Sequence, residues 1–435
     1  MVGIAVAALF SLALPHLRPT ARPTAPKPAV ASTSPSLNDP LLVRMDDTWF
    51  DLQNWRKAHP AGTHWIDAYN QSDATEVMYA FHSDKAMQML KRLPRAKTQP
   101  PNLPMPTKAT YAFREFRKQL VQEGWFRPTI WGESKKLLPW LASTLGGIIA
   151  LRAGKGPIVG LIGIILLAVG NTLSGWLAHD YVHGRSRWCS FMRPYGELMG
   201  GMSTTWWSMK HNMHHALTNE VGYDEDIALA PAIYLWQPDP QHDVRSLRRW
   251  QHIFWPLPYS ILFLYWRFDS IRYVLKYKKF AEAARLVAHW SIFSSAVGIV
   301  PLLLSVWLSG LLTATIVTVT HQSEELFLGD SLRSYDFVEA QFRSTRNAAC
   351  NNPLSNILWG GMQWQLEHHL FPTMPRYKYP ALSERVKAFA REQGLEYRVT
   401  GEFEIIRDNV RQLRKVGQAE PVVGNPECTP KYIQI

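Results

Sequence analysis

The sequence predicts a mainly α, integral membrane protein with four spanning helices in two hairpins, histidine-bearing helices on the cytosolic side, and a small α+β domain ahead of them. Three observations carry this reading. Two long stretches are almost free of charge. Of fifteen histidines, seven fall in three tight clusters. A compact, Trp-rich segment near Trp49 is separated from the charge-free stretches by a run of prolines. At 435 residues the length alone suggests about three domains. The three cysteines, Cys189, Cys350 and Cys428, are far apart, which excludes a disulfide-rich secreted module and a CxxC metal site. The formal net charge of +12 suits an anionic membrane surface as well as nucleic acid. The spans below select the membrane, and no nucleic-acid partner is expected.

Leu286 to Ser323 is a stretch of 38 residues without Asp, Glu, Lys or Arg. One crossing needs roughly 20 apolar residues, so the stretch reads as two spans with a turn near Pro301. The other stretch is split: Leu137 to Leu151 and Ile158 to Ala178 are uncharged, and Arg152 to Pro157 reads as a polar turn. Basic residues fix the orientation. Residues 91–136 hold eleven Lys and Arg and residues 180–285 hold thirteen, against two in the Arg152 turn and none near Pro301. The positive-inside bias places the N-terminal region, the central segment and the C-terminal region on the cytosolic face. Trp250 to Trp266 is also uncharged, but Pro256 and Pro258 would interrupt a span, so it reads as an interfacial or re-entrant helix pair.

Residues 1–40 read as a targeting or disordered segment. There is no acidic residue before Asp39, and an apolar run, Gly3 to Leu14, leads into a Pro, Ala, Ser and Thr-rich stretch with Arg18, Arg22 and Lys27. Residues 41–93 are compact, with His59-Pro60-Ala61-Gly62, Asp73-Ala74-Thr75-Glu76 and Phe81-His82-Ser83. Two histidines so placed, each beside turn or small residues, suit ligation of one haem iron from opposite sides. The segment resembles a cytochrome b5 domain, whose hallmark is His-Pro-Gly-Gly followed by a second axial histidine. The resemblance implies haem b held by His59 and His82. Ala61 departs from the hallmark and would strain the turn if that position needs a positive φ; His64 lies outside the pattern. Residues 94–136 are a Pro-rich tether, with Pro94, Pro100, Pro101, Pro104 and Pro106, and an amphipathic region.

The histidine clusters point to metal. In His179-Asp180-Tyr181-Val182-His183 the i, i+4 spacing puts both imidazoles on one helix face. His211-Asn212-Met213-His214-His215 converges in the same way, as does Gln365-Leu366-Glu367-His368-His369 with glutamine first. Imidazole suits Zn, Cu, Fe and Ni, but seven histidines exceed the needs of one ion, so two are expected, and an attached electron-carrying haem favours redox-active iron.

The three clusters resemble the histidine boxes of membrane fatty acid desaturases, and the leading glutamine of the third resembles front-end members fused to cytochrome b5. Asn219 to Ile227 and Leu370 to Pro375 agree with it, and the likeness runs from about residue 45 to about residue 400. It implies a desaturase domain over 137–400, a C-terminal tail over 401–435, and a diiron centre held by His179, His183, His211, His214, His215, Gln365, His368 and His369. The family also supplies a ligand at the end of the last span, which His321 matches. Asp180 and Glu325, the latter i+4 from His321, are candidates to back the ligands. His16, His242, His252 and His289 match no cluster.

The resemblance implies O2-dependent insertion of a cis double bond between the carboxyl end of a long acyl chain and an existing double bond. Electrons would pass from an NADH-cytochrome b5 reductase, or a ferredoxin in a plastid, through the haem to two iron ions. The expected substrate is an acyl-lipid or acyl-CoA in the endoplasmic reticulum membrane, with a plastid membrane as the alternative. A sphingoid long-chain-base desaturase or a lipid hydroxylase would use the same centre. A non-catalytic membrane haem carrier would lack a box residue, and none is missing.

Overall fold

The computed structural model describes residues 40–59, 62–97, 106–154, 156–331 and 333–427. The expected targeting segment, Pro60 and Ala61 of the haem motif, residues 98–105 of the proline-rich stretch and the end of the C-terminal tail lie outside these. The fold is mostly helical.

The first part is a small α+β unit. Strand β1 (Leu42–Met45) pairs antiparallel with β2 (Thr48–Asp51) and parallel with β3 (Ser72–Asp73). Asp46 makes the tight turn at φ 51°, a conformation that Asp tolerates. Helices α1 (Thr63–Ala68), α2 (Thr75–Phe81) and α3 (Asp84–Leu90) close over the sheet on a core of Leu41, Val43, Phe50, Ile66 and Val77. Gly62 of the haem motif has φ 102°.

Helix α4 (Lys108–Gln122) is capped by Thr107 and leads to two helical pairs. In the first, α5 (Ile130–Ala153) ends at Gly154 and α6 (Pro157–His183) starts with proline in its first turn, where no hydrogen bond is lost. Small residues let the two approach: a Cβ on Gly147 would lie 2.8 Å from the Leu167 nitrogen, and one on Gly170 would lie 2.5 Å from Thr144 Oγ1. Helix α7 (Arg187–Gly200) and helix α8 (Thr204–Ala216) follow.

The chain then enters α9 (Pro256–Lys276), α10 (Phe280–Val297) and α11 (Ile299–Val319). Gly298, at φ 82°, makes the turn of the second pair, and Pro301 sits harmlessly in the first turn of α11. Arg152 joins the two turns by donating to the Ala296 and Ser295 carbonyls, at 2.9 and 3.2 Å. Pro256 and Pro258 do not break a helix here. They start α9, which follows the four-residue helix Gln251–Phe254.

Among the described residues two helices are long and apolar enough to cross a membrane: α6, with 27 residues, and α11, with 21. The sequence suggested four. The shortfall has a physical source, since the charge-free part of α5 begins only after Glu133, Lys135 and Lys136, and α10 opens with Glu282 and Arg285.

Helices α12 (Phe337–Ser344), α13 (Gln365–Leu370), α14 (Tyr379–Gln393) and α15 (Glu402–Gln418) follow, with a short helix, Pro353–Trp359, between the first two. A short parallel pair, β4 (Asn347–Ala349) with β5 (Val399–Gly401), ties the start of this part to its end.

Candidate metal centre

The end of α6, the length of α8 and the whole of α13 carry the three histidine clusters. The helical period decides which side chains converge. His179, His183, His211, His215 and His368 form one group, and His214, His321 and His369 form another, the ring nitrogens within each group lying within 4.8 Å of one another. All eight, and Gln365, are buried. His179 Nε2 lies 2.8 Å from His211 Nε2, which is 3.1 Å from His215 Nε2. Gln365 Nε2 lies 3.1 Å from His321 Nε2 and 3.5 Å from His369 Nε2, at the edge of the second group.

The outer nitrogens explain why the inner ones converge. Asp224 Oδ2 lies 2.8 Å from His214 Nδ1, and Asp226 Oδ2 lies 3.3 Å from His211 Nδ1. The Ser344 carbonyl takes His321 Nδ1 at 3.0 Å, Tyr379 Oη meets His368 Nδ1 at 3.2 Å, and Gln341 Oε1 meets His369 Nδ1 at 2.8 Å. In these five histidines Nδ1 is thereby engaged and Nε2 is left to face the cluster, the arrangement that orients metal-binding imidazoles. Asn347 fixes the third cluster from behind: its Oδ1 accepts from the Leu366 amide at 2.8 Å, and its Nδ2 donates to Glu367 at 2.7 Å. Burial pushes Glu367 up to about 7.

The donor set fits a cation. Both ring nitrogens of His183, Nε2 of His368 and Oε1 of Gln365 are buried with no hydrogen-bond partner. Each such orphan costs about 1–3 kcal/mol unless something repays it. Burial, reinforced by the neighbouring imidazoles, holds His211, His215, His368 and His369 well below the usual histidine range. They are neutral, the form that ligates metal. For His214 burial acts the same way, but Asp224 outweighs it and raises the group.

Two expected backing residues make no hydrogen bond to the cluster. The Asp180 carboxylate pairs with Lys136 at 2.9 Å and Arg376 at 3.2 Å, and its approach to His179 Nδ1 is 3.9 Å, too long for a hydrogen bond. It staples α6 to α5 and to the loop before α14. Glu325 pairs with Arg343 at 3.1 Å near the surface. Its i, i+4 relation to His321 fails because α11 ends at Val319 and the chain turns, so the two do not share a face. The residues that do back the ligands, Asp224, Asp226, Gln341 and Tyr379, were missed. Asp224 and Asp226 stand in the conspicuous segment after the second cluster, which was the one available signal.

His59 and His82 face each other across the edge of the α+β unit, ring centroids 6.1 Å apart and planes inclined by 52°. Two imidazoles bonded from opposite sides to one metal at about 2 Å place their centroids roughly 6 Å apart, so this pair fits a single iron. His59 Nδ1 is 3.2 Å from the Gly62 carbonyl, which leaves its Nε2 for the metal. Burial lowers His59, and it pushes His82 down to about 4.

Residues 155–401 match the fatty acid desaturase family model. The chain belongs to the fatty acid desaturase family. Residues 32–97 match the cytochrome b5-like haem/steroid binding domain. The chain is 32% identical to an acyl-lipid 8-desaturase of Rebecca salina over 83% of its length and 88% of that protein's. It is 27% identical to a Delta(6)-fatty-acid desaturase of Caenorhabditis elegans, covering 87% and 96% of the two chains. With a Delta(8)-fatty-acid desaturase of Euglena gracilis the identity is 28% over 82% and 90%. This desaturase is thus an oxidoreductase of a membrane family fused to a cytochrome b5-like domain; the family implies iron and the cytochrome b5-like domain implies haem.

Proposed function

We propose that this desaturase performs front-end desaturation of a long-chain acyl-lipid, with two iron ions in the two histidine groups and electrons from its own haem. The observation that carries the reading is the pairing, in one chain, of two adjoining buried imidazole groups with a facing histidine pair, His59 and His82, in a cytochrome b5-like domain. His179, His183, His211, His215 and His368 would hold one iron; His214, His321 and His369, with Gln365 at the edge, would hold the other. When bound, the irons supply the O2 chemistry needed to remove hydrogen from an unactivated methylene pair.

The protein's own part is position and dryness. Asp224, Asp226, Gln341 and Tyr379 hold the imidazoles at fixed angles, and burial keeps water out. The relatives, two of them Delta(6) and Delta(8) enzymes by name, support action on the carboxyl side of an existing double bond. Four membrane spans, α5, α6, α10 and α11, are supported by the apolar side chains these helices leave exposed, among them Leu145, Ile149, Leu161, Ile165, Ile292 and Val300. The basic residues flanking them support a cytosolic metal centre; an endoplasmic reticulum membrane and an NADH-cytochrome b5 reductase as donor complete the proposal.

Expression in yeast fed a panel of polyunsaturated fatty acids tests this. The expected product carries one new cis double bond between the carboxyl group and the first existing one. A hydroxylated acyl chain, a desaturated sphingoid base, or no product would overturn the proposal.

A further inference from the structure

The α+β unit is held against the histidine-bearing helices through three contacts, the first of them at the second cluster. The buried Tyr69 donates its hydroxyl to the Ala216 carbonyl, at the end of α8, at 2.9 Å. Around that bond Ile66, Tyr69 and Val77 share one apolar core with Met213, Ala216 and Leu217. The second contact is Phe81, the neighbour of the haem ligand His82. Its ring meets the metal ligand His215 edge-on, centroids 6.3 Å apart, and its carbonyl accepts a hydrogen bond from Arg185. Arg185 stands two residues beyond His183, at the surface where the two parts meet. The third contact runs through α4. Arg114 pairs with Glu76 at 2.7 Å and Asp73 at 3.1 Å, while Phe113 and Leu120 root the same helix in the core beneath α13 and α14.

We propose that Tyr69, Phe81 and Arg185 clamp the haem domain in one fixed pose over the metal centre, with the Phe81 ring lying between the haem ligand His82 and the metal ligand His215. The inference rests on the proposed function and adds to it: the donor is docked in the resting chain, and the proline-rich tether does not set the transfer rate. Each double bond consumes one O2, two electrons, two protons and two substrate hydrogens, and yields two waters. The electrons come one at a time, a ferrous haem becoming ferric as the metal centre gains each, and NADH replaces both through the reductase. Phe81, Tyr69 and Arg185 are positioning residues in this scheme, touching neither substrate nor O2.

A free tether and a docked domain respond differently to tether length. On a flexible tether the effective concentration of the donor falls as the tether grows; in a clamped pose it does not. The experiment uses the full-length holoenzyme in nanodiscs, its haem reduced and then mixed with O2 and substrate in a stopped-flow instrument. Haem reoxidation is followed in the visible band, with iron-depleted protein as the background for direct oxidation. Inserting about 20 Gly and Ser residues between Pro101 and Asn102 should leave the rate unchanged, since the clamp and not the tether sets it. The Phe81→Ala, Arg185→Gln double variant should reoxidise about tenfold more slowly and slow further with the insertion, because the tether then governs encounter. Haem band and iron content, equal to the parent's, show that both sites are intact in the variant. Slowing of the parent by the insertion alone overturns the proposal, and so does a parental rate in an intact double variant. A parent chain that takes up no haem or no iron overturns the functional reading beneath it instead.

Discussion

His215 and His369 stack face to face, their ring centroids 4.2 Å apart and their planes inclined by 28°, although each belongs to a different group of converging imidazoles. The two metal positions therefore share a wall, and a ligand lost from either group should be felt by both. His368→Ala opens the five-histidine group and His214→Ala the three-histidine group. Each should abolish product while the protein remains in the membrane, and each should lower the iron bound per chain in the purified protein. Near-normal turnover in either variant would show that the grouping is wrong.

Gln365 borders the second group, with its Oε1 buried and without a hydrogen-bond partner. A half-turn of the amide presents that oxygen toward His321 and His369. Gln365→His, which keeps a donor atom for metal, should retain part of the activity, whereas Gln365→Ile should retain none. Product analysis of the three proteins decides it, and equal activity in all three would remove Gln365 from the site.

Asp224 has the most to lose among the residues behind the ligands. Its Oδ2 meets His214 Nδ1 at 2.8 Å and also accepts from the Asn219 amide, while its Oδ1 accepts from the Asp226 amide. Asp224→Asn keeps the shape but removes the charge that orients His214, so iron retention during dialysis against a chelator should weaken by roughly 10- to 100-fold. Retention equal to the parent's would mean that His214 needs no such support.

How much of this was legible in the sequence depends on how local each relationship is. His179 with His183, and His211 with His214 and His215, are set by the helical period alone, so their convergence could be read directly. The division into two groups could not, because it depends on how α6, α8 and α13 meet. Tyr379 and Gln341 lie on helices whose approach no spacing announces, and the contact between Phe81 and His215 joins parts far apart in the chain. Glu325 shows the converse failure, since a spacing that means one face within a helix means nothing beyond Val319. The spans divide on the same principle: α6 is free of charge up to Asp180 and α11 over its whole length, whereas α5 and α10 each begin with charged residues, so their helices extend past the charge-free stretch.

Those two helices make the topology worth measuring. Tags placed after residues 130, 240 and 400 should all be accessible from the cytosol or its plastid equivalent, and a tag near Gly154 should not be. Residue 400 on the opposite face from residue 240 would mean that α9, which begins with Pro256 and Pro258, crosses the membrane.

The most direct test of a desaturase that carries its own electron donor is reconstitution. The purified chain, loaded with haem and iron in liposomes, receives NADH, cytochrome b5 reductase and O2 but no free cytochrome b5, and the acyl chains are then separated and their double bonds located. The account predicts a new double bond on the carboxyl side of an existing one, and its loss in His59→Ala, whose haem would lack an axial ligand. Desaturation that appears only when a separate cytochrome b5 or ferredoxin is added, or that persists undiminished in His59→Ala, would contradict it.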